Sequence, residues 1–106
     1  MQDREIKKLW EIQLTIEEAF GLSLQDLRKA CGLSQEELGF ESGYHRTYIS
    51  QLERGRKNPS LRTIFQLAAA LKTAPSEMVL RVERSITASG RNIGPTGAET
   101  DEDNAG

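Results

Sequence analysis

Residues Ser34 to Lys57 read SQEELGFESGYHRTYISQLERGRK, and the fold turns on this stretch. Ser34 followed three residues later by Glu37 is a capping box: the serine side chain accepts from an orphan backbone N–H, and the glutamate reaches back to the cap. Leu38 supplies an inward apolar position, and Gly39, with no side chain, lets another backbone approach closely. Gly43 suits a left-handed turn residue because it carries no Cβ penalty at positive φ. A second helix, about His45 to Arg54, places Ile49 and Leu52 inward at i,i+3. Arg46, Thr47, Ser50 and Gln51 then fall on the opposite face. Gly55 ends it, and Arg56 and Lys57 follow. A helix, a tight glycine turn and a helix with a polar outer face suit entry into the major groove of DNA.

Further helices are expected on both sides of this pair. Thr15 with Glu18 is a second capping box, and Ile16, Ala19, Phe20, Leu24 and Leu27 recur at helical spacing to about Ala30, where Gly32 closes the element. Asn58, Pro59 and Ser60 form a turn with a serine cap. Leu61, Ile64, Phe65, Ala68 and Leu71 then make an apolar stripe on a fourth helix. A short fifth helix starts near Pro75, a residue tolerated in a first turn, and carries Met78, Val79 and Val82. Residues 1–14 fit a helix face through Ile6, Leu9 and Trp10, but the alternation of Trp10, Ile12, Leu14 and Ile16 also suits a strand. A helix is expected there. The expected organisation is an N-terminal extension over 1–14, a domain over 15–84 and a disordered acidic tail over 85–106, whose Gly, Ser, Thr and acid content cannot offset its ordering entropy. The fold class is all-α, a compact bundle of four to five helices.

At 106 residues with 37% hydrophobic content, the chain has room for one core. No segment approaches the roughly 18 uninterrupted apolar residues of a membrane span, and the opening MQDREIKKLW lacks the apolar run of a secretion signal. A single cysteine and a single histidine give neither an internal disulfide nor a metal cluster. The expected location is therefore cytoplasmic, with the nucleoid as neighbour. The formal net charge is −2, yet it is unevenly spread. Residues 20–84 carry ten basic and seven acidic side chains, whereas 85–106 carry one basic and four acidic. Within 44–57, Arg46, Arg54, Arg56 and Lys57 face Glu53 alone, and a local patch, not the chain total, binds a phosphate backbone.

The ordered set LRKACGLSQEEL, Gly43, TYISQLERG, NPSL and LAAAL resembles the phage-repressor-like, Xre/Cro-type helix-turn-helix family of bacterial and phage transcriptional regulators. The resemblance covers roughly residues 17–82. It implies that Gln35, helped by a helix N-terminus, hydrogen-bonds a phosphate. It implies that Arg46, Thr47, Ser50 and Gln51 read base edges. Arg46 can pair with guanine O6/N7 and Gln51 with adenine N6/N7, each worth about 1–3 kcal/mol of discrimination. Arg56, Lys57 and Asn58 would run along the DNA backbone. Arg28 and Glu53 match a partly buried ion pair tying the first helix to the end of the third, a structural role. Gly39 stands where alanine is more usual, at an expected cost of about 1 kcal/mol in helix propensity.

Other residues admit two readings. Tyr48 lies between faces, where it either packs on Leu52 or offers its hydroxyl to a phosphate, and Tyr44 is divided likewise. His45 precedes or caps the recognition helix, with a phosphate in reach. Cys31 reads as a small, partly buried packing residue. No glycine-rich phosphate loop or paired carboxylates in an evident pocket suggest an enzyme, and no cofactor is expected. The expected partner is double-stranded DNA, bound by a homodimer on a palindromic site, with Met78, Val79 and Val82 as candidate dimer surface. An antitoxin or regulatory subunit gripping a protein partner through its termini is one alternative. A restriction–modification controller, whose members carry a similar HRTYIS helix, is another.

Overall fold

A computed structural model of the chain describes residues 14–89. Among them the fold is all-α: α1 (Ile16–Ala30), α2 (Gln35–Ser42), α3 (Arg46–Glu53), α4 (Leu61–Ala70) and α5 (Pro75–Ala88). Residues 1–13 and 90–106 lie outside the description, and with them most of the N-terminal extension and of the acidic tail. Both expected capping boxes are formed, with Thr15 and Glu18 starting α1, and Ser34 and Glu37 starting α2. Gly43 terminates α2 at φ 86, in the left-handed region. Its N–H and that of Tyr44 both donate to the Gly39 carbonyl at 2.8 Å, so the chain reverses within a few residues and brings α3 across α2.

The core gathers one face from each helix. Leu24, Leu38, Ile49, Leu52, Leu67, Met78 and Ile86 are its largest fully buried members. The central α1 packs against α3 and α5, while α2 packs against α3 and α4. Helix α3 has eight residues, too few to persist alone in water. Its stability comes from burying Ile49 and Leu52.

Four expectations are corrected. Met78 is fully buried and Val82 is nearly so; they fill the core and cannot face a second molecule, which leaves Val79, 47% exposed, as the one surface residue of that set. Of the stripe expected on α4, Ala68 and Leu71 are buried and Ile64 packs against the core, but Leu61 and Phe65 are 69% and 54% exposed, and Thr63 and Leu67 turn inward in their place. The boundary expected at 84 falls inside α5, which runs to Ala88 with Ile86 in the core. Cys31 is exposed, its thiol directed at the Leu71 carbonyl at 3.5 Å.

Two helices touch α3 through glycines. A Cβ on Gly39 would stand 2.5 Å from the Tyr44 carbonyl oxygen, so the position expected to cost helix propensity is one where the turn leaves no space. In α1, a Cβ on Gly21 would meet the Leu52 and Glu53 carbonyl oxygens at 2.4 and 2.5 Å. Propensity alone makes Gly21→Ala stabilising by about 1 kcal/mol. The rigid backbone opposite reverses the sign, and we expect a net loss of about 1–3 kcal/mol in denaturant unfolding. A stabilised Gly21→Ala protein would contradict this packing.

Candidate nucleic-acid interface

Helix α3 is built so that its termini are satisfied locally while its outer face stays open. His45 is the N-cap, its Nδ1 accepting from the Thr47 N–H at 3.0 Å. That bond requires an unprotonated Nδ1, so the ring proton sits on Nε2. At the other end the Gly55 N–H donates to Leu52 and the Arg56 N–H to Gln51, at 3.1 and 2.9 Å. This is the Schellman pattern, which satisfies terminal carbonyls and sends the chain sharply away. Between the caps, Arg46 and Thr47 are exposed and Ser50 and Gln51 half-buried, opposite Ile49 and Leu52. The structure thus brings the four expected base-reading residues onto one side of one helix.

The expected Arg28–Glu53 pair is present, and it is larger than a pair. Arg28 Nε donates to Glu53 Oε2 at 2.6 Å and Nη2 donates to Oε1 at 3.1 Å, while Nη1 donates to the Leu33 carbonyl at 2.8 Å. Gln35 Nε2 adds a bond to Glu53 Oε1 at 2.9 Å, and Gln25 Nε2 a longer one at 3.4 Å. A carboxylate only accepts, so the Gln35 amide must turn its NH2 inward, leaving its other hydrogen and its carbonyl oxygen uncommitted. The bond to Glu53 holds the Arg28 guanidinium above its ordinary pKa, against the lowering effect of burial. The family resemblance implies only a phosphate contact for Gln35; its contact with Glu53, 18 residues away, has no local sequence signal.

This network has an electrostatic consequence. The Glu53 side chain is only 2% exposed, so the one acid within 44–57 is turned inward and neutralised. What faces solvent over that stretch is Arg46, Arg54, Arg56 and Lys57, all exposed, beside exposed His45 and Asn58. Neither tyrosine projects freely. The Tyr44 hydroxyl donates to Gln66 Oε1 and, its one proton so used, accepts from Thr63 Oγ1 at 3.0 Å, while the Tyr48 hydroxyl lies 3.5 Å from Thr63 Oγ1. Both are half-buried, and the Tyr48 hydroxyl is aimed at α4.

The chain belongs to the helix-turn-helix family of DNA-binding transcriptional regulators, of the Xre/Cro type, whose family model matches residues 24–78. It is 44% identical over 59 residues to the uncharacterised HTH-type transcriptional regulator y4dJ of Sinorhizobium fredii, covering 56% of this chain and 77% of that protein. It is 41% identical over 61 residues to the control protein C.BamHI of Bacillus amyloliquefaciens, covering 57% of this chain and 75% of that one. Among solved structures, the restriction-modification controller protein C.AhdI of Aeromonas hydrophila superposes with a TM-score of 0.57 at 48% identity, over 58% of this chain and 94% of that one. Among the described residues, no helix is long and apolar enough to cross a membrane.

Removing Glu53 leaves Arg28 charged and without its main partner inside the fold. Glu53→Ala is therefore expected to lower stability by about 3–5 kcal/mol, read by denaturant unfolding. A loss below about 1 kcal/mol, the range of an exposed pair, would contradict the central place given to this carboxylate.

Proposed function

We propose that this protein is a sequence-specific regulator that inserts α3 into the major groove of double-stranded DNA. The observation that carries the reading is the outward face of α3: polar, capable of pairing with bases, bearing Arg46, flanked by the exposed Arg54, Arg56 and Lys57, and freed of its one acid. Arg46, Thr47, Ser50 and Gln51 meet base edges. Arg56, Lys57 and Asn58 track phosphates, with His45 Nε2–H and the second amide hydrogen of Gln35 as further donors. The effect is physical: the bound protein excludes or recruits polymerase, and no bond is made or broken.

A module of this size makes few contacts, so a homodimer on a palindromic operator follows. In place of Met78 and Val82, the groove between α4 and α5 supplies the surface. Leu61, Phe65 and Val79 line it beside Ile64, Pro75 and Leu80, in a space of about 560 Å³. Three exposed large apolar residues in one groove favour a covered face over a solvated one. A second reading places the regulator within a restriction–modification system. The 41% and 48% identities to proteins named as controllers support it, and neighbouring methyltransferase and nuclease genes would distinguish it.

Selection of bound duplexes from a random pool is expected to return a two-fold symmetric motif, with half-site centres about 34–36 Å apart. Arg46→Ala should relax base choice at one position per half-site, by about 1–3 kcal/mol. Lys57→Ala should weaken all sequences alike and reduce the salt slope by about 1. Equal affinity for selected and scrambled duplexes would overturn the reading. For the dimer, Phe65→Glu should yield a folded monomer in analytical ultracentrifugation; an unchanged dimer would move the interface off this groove.

A further inference from the structure

The hydroxyl cluster at the start of α4 has no role in the base-reading face and exceeds what capping α4 requires. Ser60 is the N-cap and accepts from the Thr63 N–H at 3.0 Å, so the Thr63 hydroxyl is not needed there. Yet Thr63 is 4% exposed, and its Oγ1 has three hydroxyls around it: Ser60 at 3.0 Å, Tyr44 at 3.0 Å and Tyr48 at 3.5 Å. A threonine hydroxyl donates one bond and accepts two, which matches that number of neighbours. The Tyr44 and Tyr48 rings pack against each other with centroids 5.1 Å apart at 47°. Tyr44 precedes α3, Tyr48 belongs to its first turn, and Arg46 and Thr47 lie between them.

We infer that Thr63 is a positioning residue for sequence readout: its buried hydroxyl ties Tyr44 and Tyr48 to α4 and so sets the direction in which Arg46 and Thr47 project. The inference rests on the DNA-binding reading above. The Glu53 network holds the far end of α3, and the His45 cap is internal to the helix. The Tyr44 N–H ties the preceding turn to Gly39 and the Tyr44 hydroxyl also reaches Gln66, but among the described residues only Thr63 Oγ1 meets both tyrosine hydroxyls and so links the first turn of α3 to α4. Arg46 lies about 10 Å along the axis from Glu53 at 1.5 Å per residue. A tilt of roughly 6° about that end moves Arg46 by about 1 Å, beyond the ~0.5 Å tolerance of a preorganised binding site. Phosphate contacts, which carry no sequence information, tolerate such a shift better than paired base contacts do.

The test compares wild type, Thr63→Val and Thr63→Ser as full chains, each titrated with the selected duplex and with its scramble, alongside thermal unfolding. Wild type must prefer the selected duplex; if it does not, the DNA reading itself fails and this inference falls with it. Given that preference, Thr63→Val should lose roughly tenfold affinity for the selected duplex while its affinity for the scramble changes less than about twofold. Thr63→Ser should restore the ratio. Should Thr63→Val fail to fold, Tyr48→Phe decides, since it removes one hydroxyl and leaves α4 untouched; it too should lower only the selected-duplex affinity. An unchanged ratio in Thr63→Val, or equal losses on both duplexes in either variant, would overturn the assignment.

Discussion

The Glu53 carboxylate decides how α1, α2 and α3 meet, because donors from the first two close on it at the end of the third. It sits at the last residue of α3 and takes hydrogen bonds from Arg28 of α1 and Gln35 of α2. Three helices thereby converge on one buried charge. Such a group is tolerated only while its partners remain, so the carboxylate enforces a particular meeting of these helices that apolar contacts alone do not specify. Arg28 extends the constraint by donating to the Leu33 carbonyl, which fixes the connection between α1 and α2. Gly21 completes it, because only a residue without Cβ lets α1 lie against the carbonyl end of α3.

That arrangement shapes the surface as much as the core. Turning Glu53 inward removes the one negative side chain within 44–57 and leaves Arg46, Arg54, Arg56 and Lys57 outward. An acidic chain, with a formal net charge of −2, thus carries a cationic ridge where α3 is displayed. On the proposed reading, the ridge supplies salt-dependent, sequence-independent attraction, and the face between its cations supplies discrimination. The division matches chemistry to exposure: long cations sit in the loop and at the helix ends, and shorter hydroxyl and amide groups sit along the helix.

The elements were readable in the sequence where their signals are local. Thr15 with Glu18, Ser34 with Glu37 and the turn at Gly43 lie within a few residues, and all three formed as expected. The inward places of Leu38, Ile49 and Leu52 followed from spacing. What periodicity could not decide was which of two neighbouring apolar faces of α4 meets the core. Leu61 and Phe65 fit one stripe and Leu67 another; the core took the second together with Thr63, whose polar atom is satisfied by tyrosines 15 and 19 residues away. The Met78 and Val82 error has the same origin, since a surface and a core stripe look alike on an amphipathic helix. The end of α5 was misjudged because composition changes at 85, although Ile86 continues the spacing of Met78 and Val82. Arg28 with Glu53 came through resemblance, and the part of Gln35 in that network needed coordinates.

On the proposed reading, α3 presents its outward face to base pairs. Backbone amide chemical shifts of the labelled protein, titrated with the selected duplex, test that placement. The largest changes are expected on Arg46, Thr47, Ser50 and Gln51, with smaller ones at Arg56, Lys57 and Asn58. Changes confined to the loop, or centred on α5 with the α3 amides unmoved, would contradict it.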